Sequence, residues 1–167
     1  MDKQAVYAYL AARGIPHEIT EHPAVFNMAE VADIALPHPE ADAKNLFVRD
    51  DKKAHYYLII VKGDKRVDLK AFRRRHATRP LTFASAEDLM RLLGLIPGAV
   101  TPLGVLNDDD AAVEVFLDRD FFDGSGLIGV HPNDNTATVW LRAADLAALI
   151  EAHGNPVTIE DMGDSAP

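Results

Sequence analysis

Apolar positions along this chain alternate between helical spacing and strand-like runs. Val6, Tyr9 and Leu10 recur at helical spacing behind Asp2, a suitable N-cap, and Gly14 closes the segment, which predicts a first helix. Ile15 to Glu21 alternates loosely and predicts a strand. Asn27 is placed to cap a short helix carrying Met28, Val31, Ala32 and Ala35, which the proline-rich Leu36-Pro37-His38-Pro39 ends. Residues 43–49 form the next strand. The polar turn Asp50-Asp51-Lys52-Lys53 then leads into the strongest strand signal, 55–62, so the pair predicts a hairpin.

Leu69 to His76 predicts a short basic helix. Ser85-Ala86-Glu87-Asp88 is a capping-box variant ahead of Leu89, Met90, Leu92 and Leu93, and Gly94 ends that helix. Two further strands are expected at 112–118 and 126–131. Asn133-Asp134-Asn135 turns the chain into a strand over Thr136–Leu141, another hairpin. Arg142 to His153 places Leu146, Leu149, Ile150 and His153 on one helical face, with Gly154 after it. Residues 161–167 are expected to fray, leaving 1–160 as one unit. Hairpins with helices between them predict an α+β fold: a single compact domain with a mixed or antiparallel sheet and packed helices.

Composition narrows the class. A chain of 167 residues with 48% hydrophobic and 26% charged residues is that of a globular domain with a real core. No apolar run approaches the roughly 20 residues of a spanning helix. Met1-Asp2-Lys3-Gln4 lacks the basic start and apolar core of a secretion signal, so a cytoplasmic location is expected. The absence of cysteine rules out disulfides, thiolate zinc sites and a cysteine nucleophile. The net charge of −9 argues against a general DNA coat, yet residues 62–79 gather eight of the seventeen basic residues against only Asp64 and Asp68. That stretch is either a solvated surface or a confined footprint for a polyanion.

Familiar catalytic signatures are missing. Phe122-Asp123-Gly124-Ser125-Gly126 lacks the spacing of a nucleophile elbow, and there is no phosphate-binding or dinucleotide fingerprint. His17 and His22 lie five apart with no His-Glu-x-x-His, so no metal site is expected. Chemistry here would rest on positioning a substrate and a water.

Three segments depart from the core pattern. Ala43-Lys44-Asn45-Leu46-Phe47-Val48 sets a lysine and an amide at the start of an apolar strand, where a lysine is ordinarily a surface residue. Gly94 to Gly104 holds three glycines and two prolines, in keeping with a loop whose backbone approaches a ligand or with a plain connection. Gly129-Val130-His131-Pro132-Asn133 ends a strand on a histidine, which in such a place is more often structural than catalytic.

Together, Lys44-Asn45-Leu46-Phe47-Val48-Arg49-Asp50, Gly98-Ala99-Val100-Thr101-Pro102-Leu103-Gly104 with Asn107-Asp108, and Gly129 to Asn133 resemble the prolyl-tRNA editing-domain family of YbaK-type aminoacyl-tRNA deacylases. The likeness spans roughly residues 1–155 and is greatest to the free-standing alanyl-tRNA(Pro) deacylases. It implies hydrolysis of the ester of mischarged alanyl-tRNA(Pro) by a positioned water, without protein nucleophile, metal or cofactor. In such enzymes the strand lysine, here Lys44, lies at the substrate, and the loop from Gly98 through Ala99 to Pro102 offers backbone groups to the aminoacyl moiety. Asn45 and His131 match further site positions.

Phe26, Met28, Ile34 and Leu46 are expected to wall a pocket that admits alanine and excludes proline, a second sieve for a synthetase that cannot reject the smaller amino acid. Lys70, Arg73, Arg74, Arg75 and Arg79 become acceptor-stem contacts for tRNA(Pro), with prolyl-tRNA synthetase or an elongation factor as a transient partner. Neither DNA nor membrane is an expected partner. The alternatives are a deacylase for another mischarged residue such as cysteine or serine, a non-catalytic nucleic-acid-binding module, and an interaction domain derived from the same fold.

Overall fold

The computed structural model describes residues 1–24 and 36–163. The helix expected from Asn27, and the expected pocket residues Phe26, Met28 and Ile34, lie outside the described residues.

Helix α1 (Lys3–Ala12) begins where expected, the Asp2 carboxylate accepting from the Ala5 amide, and buries Val6 and Leu10. Strands β1 (His17–Glu21), β2 (Ala43–Asp50) and β3 (Tyr56–Lys62) follow, then α2 (Leu69–His76), the short β4 (Leu81–Phe83) and α3 (Ala86–Leu93). Ser85 caps α3 by accepting from the Asp88 amide, and Gly94 closes it in the left-handed conformation. A 3-10 helix (Pro102–Asn107) leads to β5 (Val113–Asp118), and the hairpin β6 (Leu127–Val130) and β7 (Ala137–Arg142) precedes α4 (Ala143–His153) and β8 (Val157–Glu160).

The strands form two sheets. Five lie in the order β4-β2-β3-β5-β8, antiparallel at β4/β2 and β2/β3 but parallel at β3/β5 and β5/β8. Three form an antiparallel sheet in the order β1-β7-β6. Burial of β3 on both faces explains why it is a continuous apolar run rather than an alternating one.

One face of the five-stranded sheet carries Phe47, Tyr56, Leu58, Ile60, Val115 and Leu117. It packs with Ile128, Val130, Val139 and Leu141 of the smaller sheet and with α1, α3 and α4 in the inner core. The other face, bearing Val48, Tyr57, Ile59, Val61 and Phe116, is covered by Phe72 of α2 and by Met162. Fraying from residue 161 is therefore corrected at its first positions. Met162 is buried in this outer core, and its carbonyl accepts from the Lys65 ammonium at 3.0 Å. Strand β8, at the sheet edge beside β5, carries the chain there.

Candidate active site

The loop after α3 is shaped by its glycines and prolines. The Ala99 amide donates to the Ile96 carbonyl at 3.1 Å, and Gly98 takes φ 83° behind Pro97. Proline followed by a positive-φ glycine is the type II turn arrangement. Ala99 is buried, and Thr101 follows fully buried in an extended conformation. Its hydroxyl donates to the His131 carbonyl at 2.6 Å and accepts from the Leu103 amide at 3.3 Å, capping the 3-10 helix that Pro102 opens. Gly104 sits so close to Leu95 that a Cβ there would fall 2.7 Å from Leu95 Cδ1. Asn107 and Asp108 hold the framework. Asn107 donates to the Leu93 carbonyl, and Asp108 accepts from the Val113 amide and the Asn155 side chain.

His131 stands just past β6. Its Nδ1 lies 3.0 Å from the Ala137 carbonyl, which only accepts, so the proton resides on Nδ1 and Nε2 keeps its lone pair in the neutral ring. Burial pushes its pKa below the ordinary 6.5, as does nearby His22, against the upward pull of the Ala137 carbonyl. The His22 ring meets it edge-on at 6.2 Å, with His22 Nδ1 donating to the Pro23 carbonyl at 2.9 Å and Nε2 2.8 Å from the Thr138 hydroxyl. Upstream, a Cβ at Gly129 would fall 2.4 Å from the Trp140 ring, so any larger residue here would force that ring to shift.

On β2, successive side chains point to opposite faces. Asn45 pairs with Ile60 and turns toward the inner core, on the side of the loop and His131. Its Oδ1 is buried and finds no donor among the described residues. Lys44 and Leu46 pair with Val61 and Ile59 and turn to the outer face. Leu46 packs into the core beneath α2. Lys44 Nζ donates to the Lys65 carbonyl at 3.4 Å. Lys65 is in turn anchored by its ammonium to buried Asp118 at 2.9 Å and to Asp120 at 2.6 Å.

The structure thus brings the Gly98–Pro102 loop and His131 into direct contact and turns Asn45 to their side. No contact joins Lys44 to either among the described residues. Thr101 and His22 are the residues that sequence reasoning passed over in this role. A threonine preceding the proline that opens a helical turn was the available signal for Thr101.

The basic stretch divides. Lys62 donates to the Glu40 carbonyl, Arg79 forks onto Asp51 at 2.6 and 3.0 Å, and Arg75 lies 3.6 Å from Glu160. Arg66, Lys70, Arg73 and Arg74 are exposed and have no carboxylate within 4.0 Å among the described residues. Lys70, Arg73 and Arg74 line one open depression of about 420 Å³ with Ala77 and Thr78.

Residues 22–149 match the aminoacyl-tRNA editing domain. The chain belongs to this family and is an aminoacyl-tRNA deacylase. It is 40% identical over 153 residues to the prolyl-tRNA editing protein ProX of Acetoanaerobium sticklandii, covering 92% of this chain and 93% of that one. It is 32% identical over 153 residues to the prolyl-tRNA synthetase associated domain-containing protein 1 of Mus musculus, covering 87% and 88%. Its backbone also matches the crystal structure of a proposed trans-editing enzyme for prolyl-tRNA synthetase, with a TM-score of 0.72 and 23% identity over 98% and 97% of the two chains, a likeness of fold. No helix among the described residues is long and apolar enough to cross a membrane.

Proposed function

We propose that this protein edits tRNA(Pro) in trans, hydrolysing the ester of alanyl-tRNA(Pro) to alanine and free tRNA. The observation that carries this reading is the 40% identity, along nearly the full length of both chains, to a prolyl-tRNA editing protein. Water attacks the ester carbonyl carbon, the bond from that carbon to the ribose oxygen breaks, and the ribose oxygen takes a proton. An aminoacyl ester is already activated, so orientation and stabilisation of the developing oxyanion suffice.

The residues divide this work. The Gly98–Pro102 backbone lies along the aminoacyl group, with Ala99 beside the small side chain. The Oδ1 of Asn45, buried and without a donor among the described residues, suits the substrate ammonium, because a buried acceptor left unpaired is costly. Nε2 of His131 accepts a proton or hydrogen bond from the water or from the 2′-hydroxyl of the terminal adenosine. Lys44, on the same sheet face as α2, contributes its charge to the phosphate of the terminal adenosine. Lys70, Arg73 and Arg74 receive acceptor-stem phosphates.

The test is hydrolysis of alanyl-, prolyl- and cysteinyl-tRNA(Pro), repeated with Lys44→Ala. Loss of the alanyl ester alone, abolished in the variant, is the expected result. Preference for the cysteinyl ester would transfer the reading to another mischarged residue, and indifference to Lys44→Ala would remove the lysine from the site.

A further inference from the structure

Thr101 and His131 lie 30 residues apart in the chain, on different elements, and their bond is the shortest the Thr101 hydroxyl makes. The hydroxyl is fully buried and acts twice, donating to the His131 carbonyl at 2.6 Å and accepting from the Leu103 amide at 3.3 Å. It therefore ties the first residue past β6 to the first turn of the 3-10 helix, with Gly98 three residues upstream of Thr101. On the far side of His131, the Ala137 carbonyl holds the imidazole Nδ1. The histidine is fixed through its backbone by one partner and through its ring by another.

We infer that Thr101 is a positioning residue, setting the distance between the loop backbone that lies along the aminoacyl group and the imidazole Nε2. The inference rests on the proposed roles of loop and imidazole. Thr101 touches no substrate. It acts by registering two groups that do, and a small displacement of either erodes the alignment on which a positioned-water reaction depends. Without the hydroxyl, the His131 carbonyl and the Leu103 amide both lose a buried partner.

Thr101→Val keeps the side-chain shape and removes the hydroxyl, and Thr101→Ser keeps the hydroxyl. Thr101→Val is expected to lower kcat for alanyl-tRNA(Pro) by about 10- to 100-fold with KM little changed, and Thr101→Ser to restore most of it. In a His131→Ala background the valine substitution should cost far less, because residues acting through one another are not additive. Equal losses in both backgrounds, or serine no better than valine, would overturn the inference. If valine compromises folding, Thr101→Ser against Thr101→Ala repeats the comparison, the pair differing only in the hydroxyl. A readout independent of turnover is the His131 imidazole titration followed by NMR. It should shift in Thr101→Val and stay near wild type in Thr101→Ser, and an unmoved titration in the valine variant would contradict the coupling. A wild-type protein that hydrolyses no aminoacyl ester would defeat the proposed function, while this titration would still decide the coupling.

Discussion

At His131, two neighbours pull in opposite directions. Burial and the nearby His22 lower its pKa, and the Ala137 carbonyl raises it, with the first effect prevailing. The folded protein therefore holds this imidazole neutral at pH values where the unfolded chain has begun to protonate it. The associated stability is present above pH 6.5, the ordinary value, and is lost as pH falls through the lowered pKa. The same protonation removes the Nε2 acceptor, so kcat/KM should show an acid limb with an apparent pKa below 6.5 that disappears in His131→Ala. A limb centred above 6.5, or one that survives the substitution, would contradict the role given to His131. Gly98 offers a second test at this scale. With φ at 83°, alanine there costs about 1–2 kcal/mol of backbone strain. Gly98→Ala should lower both thermal stability and deacylation, whereas the neighbouring exposed Pro97→Ala should retain most activity.

At the scale of elements, the packing of β6 on β7 depends on Gly129. Its missing Cβ makes room for Trp140, and Gly129→Ala should cost about 1–3 kcal/mol of overpacking. For a chain of this size that is about 2–4 °C of Tm for each kcal/mol, measurable by thermal unfolding. Much at this scale was legible in sequence. The helix over Leu69–His76, the Ser85 cap, the left-handed Gly94 and the two hairpins all follow from local rules of capping, alternation and turn chemistry. What escaped was non-local. Strands β4 and β8 are three and four residues long with two apolar side chains each, too short for periodicity to register. Their existence depends on ladders to β2 and β5, and the burial of Met162 depends on the outer face those strands complete. The division into two sheets was hidden for the same reason. The candidate site shows the same limit: Lys44, Asn45, the glycine loop and His131 were identifiable as segments. That Lys44 and Asn45 serve opposite faces, and that Thr101 bonds His131, are properties of register and tertiary contact.

At the scale of the whole molecule, the proposed docking surface and the proposed loop–histidine site lie on opposite faces of the five-stranded sheet, with Lys44 on the docking side. Helix α2 covers the outer face of the five-stranded sheet, while the loop, His131 and Asn45 belong to the inner side. Within an acidic chain of net charge −9, the α2 cations Lys70, Arg73 and Arg74, which have no carboxylate partner among the described residues, form a local attractive surface. Replacing Lys70, Arg73 and Arg74 together with Ala should raise KM and flatten its dependence on salt while leaving kcat nearly unchanged. Arg79, already forked onto Asp51, should matter less to KM than those three. An equal effect of Arg79→Ala would show that its ion pair opens for tRNA. The proposed activity is hydrolysis of alanine from tRNA(Pro) with the correct amino acid spared. Its most direct test is the single-turnover rate of deacylation of alanyl- and prolyl-tRNA(Pro) by one preparation of the wild-type protein. Rapid release of alanine is expected, with prolyl-tRNA(Pro) decaying no faster than without enzyme. Comparable hydrolysis of both esters, or of neither, would contradict it.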